Sequence, residues 1–154
     1  MTTHTLALVM IVRDEARCLR RCLDSVRAHV DQMVVLDTGS RDDTVAIALA
    51  AGAEVGHFSW VNDFSAARNA ALALSRCDWS LVLDADETLA EGGPLIAALR
   101  HQQPDFIGRI DVRSTYAAAG ASQAQAASSW LPRVLPKGVH YEGRIHEQPV
   151  SPLH

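Results

Sequence analysis

The chain has 154 residues, of which 48% are apolar and 21% charged, and its formal net charge is −4. That length and composition point to one globular, core-forming domain rather than a disordered chain, and the absence of a basic patch argues against nucleic acid as the main partner. No apolar run approaches the roughly 20 residues of a membrane helix, and the start, Met1-Thr2-Thr3-His4, lacks the charged beginning of a secretion signal. Thr5 to Val12 is an apolar run of strand length that stops at Arg13, Asp14 and Glu15. From Ala16 a helix is expected: Leu19, Cys22, Leu23 and Val26 recur at helical spacing, while Arg17, Arg20, Arg21, Asp24 and Arg27 fall largely on the wet face. Met33 to Leu36 is a second strand, ending at Asp37, and Gly39 supplies the turn. Ser40 or Asp42 can cap a helix from Thr44 to Ala51, which Gly52 ends. Glu54 to Phe58 is a short third strand. Asp63 is a good cap for a helix over Phe64 to Ser75, whose alanines at 66, 67, 70, 71 and 73 keep it slim enough to lie close on a sheet. Leu81, Val82 and Leu83 then read as a buried strand that runs into Asp84, Asp86 and Glu87. Strand and helix alternating in this way predict an α/β fold, a mostly parallel sheet with helices on both faces.

Past Glu87 the pattern changes. Gly92, Gly93 and Pro94 open a helix that lasts to about Gln102, and Phe106 to Val112 alternates as a half-buried strand. Ser114 to Ser129 is rich in Ala, Ser, Gly and Gln and is expected to be a loop. Trp130 to Leu135 is another strand candidate, and Tyr141-Glu142-Gly143-Arg144-Ile145-His146-Glu147 is the last segment rich in chemistry. Cys18 and Cys22 stand four apart, but no second Cys or His pair at finger spacing accompanies them, so they read as ordinary thiols. The expected compartment is the cytoplasm, free or peripheral at the inner membrane face.

Four strands of the first half end in charged or hydrogen-bonding groups: Arg13-Asp14-Glu15, Asp37, His57, and Asp84 with Asp86. In a parallel sheet these ends share one edge, which is where open α/β sheets bind ligands. Asp37 can accept from a base N–H or a ribose hydroxyl. Acids crowded at a strand end repel one another, and a hard cation such as Mg2+ or Mn2+ bridging them to phosphate would account for them. One of Asp84 and Asp86 then binds the metal while the other holds ribose or a metal-bound water. A solvated acidic turn is the competing reading. Neither Gly-x-Gly-x-x-Gly nor a Walker A sequence is present to cradle phosphate. His57 reads as structural, and Trp60 and Trp130 as core or rim.

Four stretches together resemble family 2 glycosyltransferases of the GT-A fold: Leu8 to Glu15, Val34 to Thr44, Asp63-Phe64-Ser65-Ala66-Ala67-Arg68-Asn69, and Leu83-Asp84-Ala85-Asp86-Glu87. The resemblance is firm over residues 5 to 90, and Glu142 to Glu147 looks like a subgroup that often carries C-terminal repeats. It implies an inverting transfer of a sugar from a nucleotide-diphosphate sugar, of which a UDP-sugar is the expected form, with a divalent metal (Mn2+ or Mg2+) as cofactor. By resemblance, Ile11, Arg13, Asp37, Arg68 and Asp84 hold the donor, with Arg68 at the base end, and Asp86 holds the metal. Arg13 stands where many relatives have an aromatic residue, and Thr38 where many have a second aspartate. Inversion also needs a carboxylate to take the acceptor proton. The candidates are Glu142 and Glu147, with Asp111 behind them, and His146 is a candidate further metal ligand. The expected organisation is one glycosyltransferase domain over 1–154: a nucleotide-sugar half at 1–90 and an acceptor and catalytic half at 91–154. The acceptor is open: glycan, lipid or peptide. The rivals are a donor-binding but inactive or incomplete fragment, since the ending reads as a truncation, and a receiver-type signalling domain. The latter expects a strand-end lysine, whereas the only lysine is Lys137, between Pro136 and Gly138.

Overall fold

A computed structural model describes residues 3–116, 125–143 and 148–150. The first half alternates as its apolar periodicity predicts: β1 (Leu6–Val12), α1 (Leu19–Val26), β2 (Gln32–Asp37), α2 (Thr44–Ala50), β3 (Glu54–His57), α3 (Phe64–Ala73) and β4 (Trp79–Val82). The second half continues with α4 (Gly93–Ala98), β5 (Gly108–Tyr116), β6 (Gln125–Pro136), β7 (His140–Glu142) and β8 (Gln148–Val150). Six strands form one sheet in the order β3-β2-β1-β4-β6-β5, and β7 and β8 form a separate hairpin. β1 to β4 are mutually parallel, while β6 joins β4 antiparallel and β5 joins β6 antiparallel. The α/β, mostly parallel architecture is therefore present, and both parts of the chain share one sheet.

Both faces of the central strands are buried, and the two-residue period of a strand assigns alternate side chains to two different cores. Leu6, Leu8, Met10 and Val12 of β1 pack with Leu19, Cys22, Leu23 and Val26 of α1 on one face. Ala7 and Val9, with Val34 and Leu36 of β2, pack against Ala71 of α3 on the other. The strand order explains the split. The connections β1 to β2 to β3 step outward in one direction, carrying α1 and α2; the connection to β4 returns across β1 and carries α3 over the opposite face. Ala67 and Ala71 are fully buried, so the small residues of α3 do bring its backbone close to the sheet.

Two expectations about the second half need correction. The strand expected from Phe106 begins at Gly108, because Phe106 leaves the sheet to pack its ring on the buried Trp79 at 4.9 Å. Gly108 lies so close to Val134 that a Cβ there would come within 2.9 Å of the valine Cβ, and the β5–β6 register shifts at this point. The stretch Ser114 to Ser129, expected to be a loop, is strand at both ends: β5 runs to Tyr116, β6 starts at Gln125, and Ser114 to Tyr116 pair with Ala127 to Gln125. Alanine and serine read as loop formers, but cross-strand hydrogen bonding overrides their weak preference.

Candidate functional site

The reversal of strand order between β1 and β4 marks the switch point of the sheet, and the acids stand around it. At the β1–β2 side they are held by backbone N–H groups. Asp37 is buried at the end of β2; its Oδ2 accepts from Gly39 N–H at 3.2 Å and Ser40 N–H at 3.1 Å. Gly39 has φ of +124°, a conformation glycine adopts freely, which turns both amides back onto the carboxylate. The Asp14 carboxylate accepts from Arg41 N–H at 2.7 Å and Asp42 N–H at 3.3 Å, and Asp14 N–H donates to Ser40 Oγ at 2.9 Å. Asp42 accepts from Thr44 N–H at 3.0 Å, from the Thr44 hydroxyl, and from Ala16 N–H at 3.1 Å. These bonds, with the Thr44 hydroxyl first, hold the Asp42 carboxyl below its ordinary value. Thr38 is buried because its hydroxyl donates back to Val12 O at 3.0 Å, a link an aspartate in its place would not make when ionised. The turn after β1 is thereby stitched to the turn after β2.

The β4 end is built differently. Arg68 of α3 donates through Nη2 to Asp84 Oδ1 at 2.8 Å. Arg133 of β6 donates to both Glu87 oxygens, at 2.8 and 3.2 Å, and to Val82 O at 3.2 Å; its Nη2 lies 3.6 Å from Asp84 Oδ2. Glu87 Oε1 also accepts from Asp84 N–H at 2.7 Å. Two guanidiniums thus offset two of the three acids. Mutual repulsion in the cluster is consequently smaller than the sequence suggests. The remaining acid, Asp86, is exposed and makes no hydrogen bond or ion pair among the described residues.

Helix α3 ties this end to β7. Asn69 Nδ2 donates to Tyr141 O at 3.0 Å while Asn69 Oδ1 accepts from Tyr141 N–H at 2.7 Å, and the Ser65 hydroxyl donates to Gly143 O. Ser65, Arg68 and Asn69 occupy one side of the helix, so a single face serves both the acid cluster and the hairpin. Between them lies a cleft of about 200 Å³ lined by Arg68, Val82, Asp84, Arg133, Tyr141 and Pro149, together with Leu131 and Pro132.

The structure brings some predicted residues together and leaves others apart. Asp84 and Arg68 meet; Asp86 sits beside them on the same turn. Arg68, which the resemblance sends toward the base, has Asp84 as a partner. Ile11 is half-buried against the core shared with α3, and Arg13 is exposed. His57, read as structural, is 71% exposed with Nδ1 3.8 Å from Asp37 Oδ2, because β3 pairs in register with β2 and sets His57 beside Asp37. Glu142 is exposed, with its carboxylate 3.1 Å from His140 Nε2. Asp111 is occupied by Arg113 Nε at 3.0 Å and by the Ser128 hydroxyl. His146 and Glu147 lie outside the described residues. Burial pushes the Cys18 thiol up to about 11 and the Cys22 thiol up to about 12, so neither offers a thiolate at neutral pH. Trp130 is exposed on β6.

Arg133 was missed from sequence. A signal existed: it interrupts the apolar run Trp130 to Leu135, and a charge inside a strand that pairs with β4 asks for a carboxylate. Among the described residues no group of three or more His, Cys, Asp or Glu is placed to enclose a metal. The set does fit a hard cation that keeps water and phosphate as most of its ligands: oxygen donors only, with Asp86 free.

A doubly wound sheet with acids and arginines at its switch point carries them where open α/β sheets bind ligands. Residues 7–135 match glycosyl transferase family 2, and the chain belongs to that family. It is 29% identical over 154 residues to the SPbeta prophage-derived glycosyltransferase SunS of Bacillus subtilis, covering 99% of this chain and 36% of that protein. It is 63% identical over 83 residues to a TPR repeat-containing protein of Synechococcus elongatus, covering 54% of this chain and 21% of that one. The chain thus spans about a fifth to a third of these relatives' length. Among solved structures, glucosyl-3-phosphoglycerate synthase of Mycobacterium tuberculosis in complex with Mn2+, UDP and glucosyl-3-phosphoglycerate shares the fold: TM-score 0.55, 23% identity, 68% of this chain and 42% of that chain. The complex of the same enzyme with Mn2+, UDP-glucose and phosphoglyceric acid aligns with TM-score 0.50 and 25% identity over 55% of this chain and 35% of that one. Among the described residues no helix is long and apolar enough to cross a membrane.

Proposed function

We propose that the chain is the donor-binding domain of a metal-dependent, inverting glycosyltransferase that takes its sugar from a UDP-sugar. The observation that carries this reading is Asp86, left free where Arg68 and Arg133 neutralise Asp84 and Glu87, at the switch point of the sheet and beside a cleft. The mycobacterial relative bound to UDP-glucose and Mn2+ supports the choice of base and metal.

In this reading Asp37, fixed by its own turn, presents a buried carboxylate to a base N–H, with Ile11 and Arg13 alongside at the end of β1. Asp84 faces the ribose, held in one orientation by Arg68. Asp86, with His146 as a further candidate, would hold Mn2+ or Mg2+, which when bound offsets the charge that builds on the departing diphosphate. Arg68 adds fixed positive charge at the same edge. The carboxylate that takes the acceptor proton is assigned to Glu142 or Glu147; Glu142 follows Tyr141, which walls the cleft and is bolted to α3 by Asn69. The acceptor, whether glycan, lipid or peptide, enters from this side.

Calorimetric titration with UDP and with GDP, in Mn2+ and again in EDTA, tests the donor site. UDP binding that EDTA abolishes is the expected result; a folded protein that binds neither nucleotide would overturn the assignment. With a donor in hand, Glu142→Gln separates the candidate bases: unaltered UDP affinity with lost transfer assigns Glu142, and full transfer passes the role to Glu147.

A further inference from the structure

The geometry points to Arg133 as a positioning residue for the metal-carrying turn, acting through Glu87 rather than touching donor or metal itself. This rests on the reading that Asp84-Ala85-Asp86 holds a cation beside a nucleotide diphosphate. The turn is closed twice in opposite directions: Glu87 N–H donates to Asp84 O at 3.0 Å, and the Glu87 carboxylate accepts from Asp84 N–H at 2.7 Å. Glu87 is therefore occupied as a lock. Arg133 fixes the lock. Its guanidinium forks onto both Glu87 oxygens and also reaches Val82 O, the last residue of β4. Because β6 pairs with β4 up to Leu81↔Val134, the arginine emerges where β4 ends and the turn begins.

A mostly buried pair of this kind contributes little net stability over apolar residues of the same shape, since desolvation offsets attraction. An apolar residue at 133 would suit the strand equally well. The planar fork supplies orientation: two parallel hydrogen bonds fix the plane of the Glu87 carboxylate, and through it the position of the Asp84 N–H. Asp86 hangs between these tied points with no hydrogen bond or ion pair of its own among the described residues, so its place relative to Asp84 depends on the lock. The antiparallel half of the sheet, 46 residues downstream, thereby sets the geometry of the metal motif.

Glu87→Gln and Arg133→Gln change the local charge in opposite directions but both open the lock, which makes the test decisive. Each variant is expected to lower the Mn2+-dependent gain in UDP affinity by about 10- to 100-fold, with affinity in EDTA changed less than about twofold, and the double variant no weaker than the weaker single. Should charge alone matter, Glu87→Gln would weaken and Arg133→Gln would strengthen the Mn2+ effect, and that opposition of sign would overturn the proposal. Parallel losses in Mn2+ and EDTA together with a lowered melting temperature would mark a purely structural pair and also overturn it, as would unaltered affinities. Arg133→Lys keeps the charge and loses the fork; an intermediate loss is expected from it, and it serves where Arg133→Gln does not fold. Wild-type protein lacking any Mn2+-dependent UDP affinity would instead remove the donor-site reading, and this inference with it.

Discussion

The two ends of the site hold their acids by different means. Beside β1 and β2, Asp14, Asp37 and Asp42 accept from backbone N–H groups of the two adjoining turns. Beside β4, Asp84 and Glu87 are held by arginines 16 and 46 residues away in sequence. The first arrangement is a rigid rim whose carboxylates are committed before any ligand arrives. The second is a charge-balanced cluster that leaves one carboxylate over. A base needs a fixed acceptor, while a cation needs an uncompensated negative charge, and each end offers the matching property.

Three substitutions probe that division, from the largest effect down. Asp86→Ala should remove the Mn2+-dependent part of UDP affinity, a loss of about 100-fold or more, since it takes away a ligand rather than its support. Its melting temperature should stay close to wild type because Asp86 is exposed and makes no hydrogen bond or ion pair among the described residues. Calorimetry and a thermal melt on one sample read both, and retained metal dependence would place the cation elsewhere.

Asp37→Ala should act in the opposite pattern. UDP affinity falls about tenfold in Mn2+ and EDTA alike, and stability falls by about 1–2 kcal/mol, because two turn amides lose their acceptor. A loss confined to Mn2+ would blur the distinction between the two ends.

The smallest effect concerns acid stability. Thr44 and Ala16 hold the Asp42 carboxyl below its unfolded value, so Asp42 stabilises the fold above the ordinary carboxylate range and loses that contribution as pH falls through the lowered value. Urea melts between about pH 6 and pH 3 should show a stability slope that Asp42→Asn flattens slightly. An unchanged slope would mean that the stitching of the two turns does not depend on this charge.

The contrast also explains what could be read in advance. The β1–β2 rim was legible because its parts are near in sequence: a strand, an acid, a glycine turn and a capped helix within Leu36 to Thr44. Asp63 was legible for the same reason, and its side chain does accept from Ala66 N–H at 3.1 Å. Residues 114–116 and 125–129 misled because alanine and serine prefer strands weakly, and pairing between β5 and β6 decided the outcome. The exposure of His57 follows from lying at the end of an edge strand, which the residue itself does not announce.

By itself the sequence determined the alternation of strands and helices, the two-faced core and the acids at the strand ends. Those features follow from apolar periodicity and from hydrogen bonds between residues a few positions apart. Only the tertiary structure decided that Arg68 takes Asp84, that Arg133 locks Glu87, that Asn69 bolts β7 to α3, and that Asp86 has no hydrogen bond or ion pair among the described residues. Ion pairs and side-chain clamps form between whatever groups the packed backbone brings within about 3 Å. That proximity is set by sheet order and strand register, which no single stretch of the chain encodes.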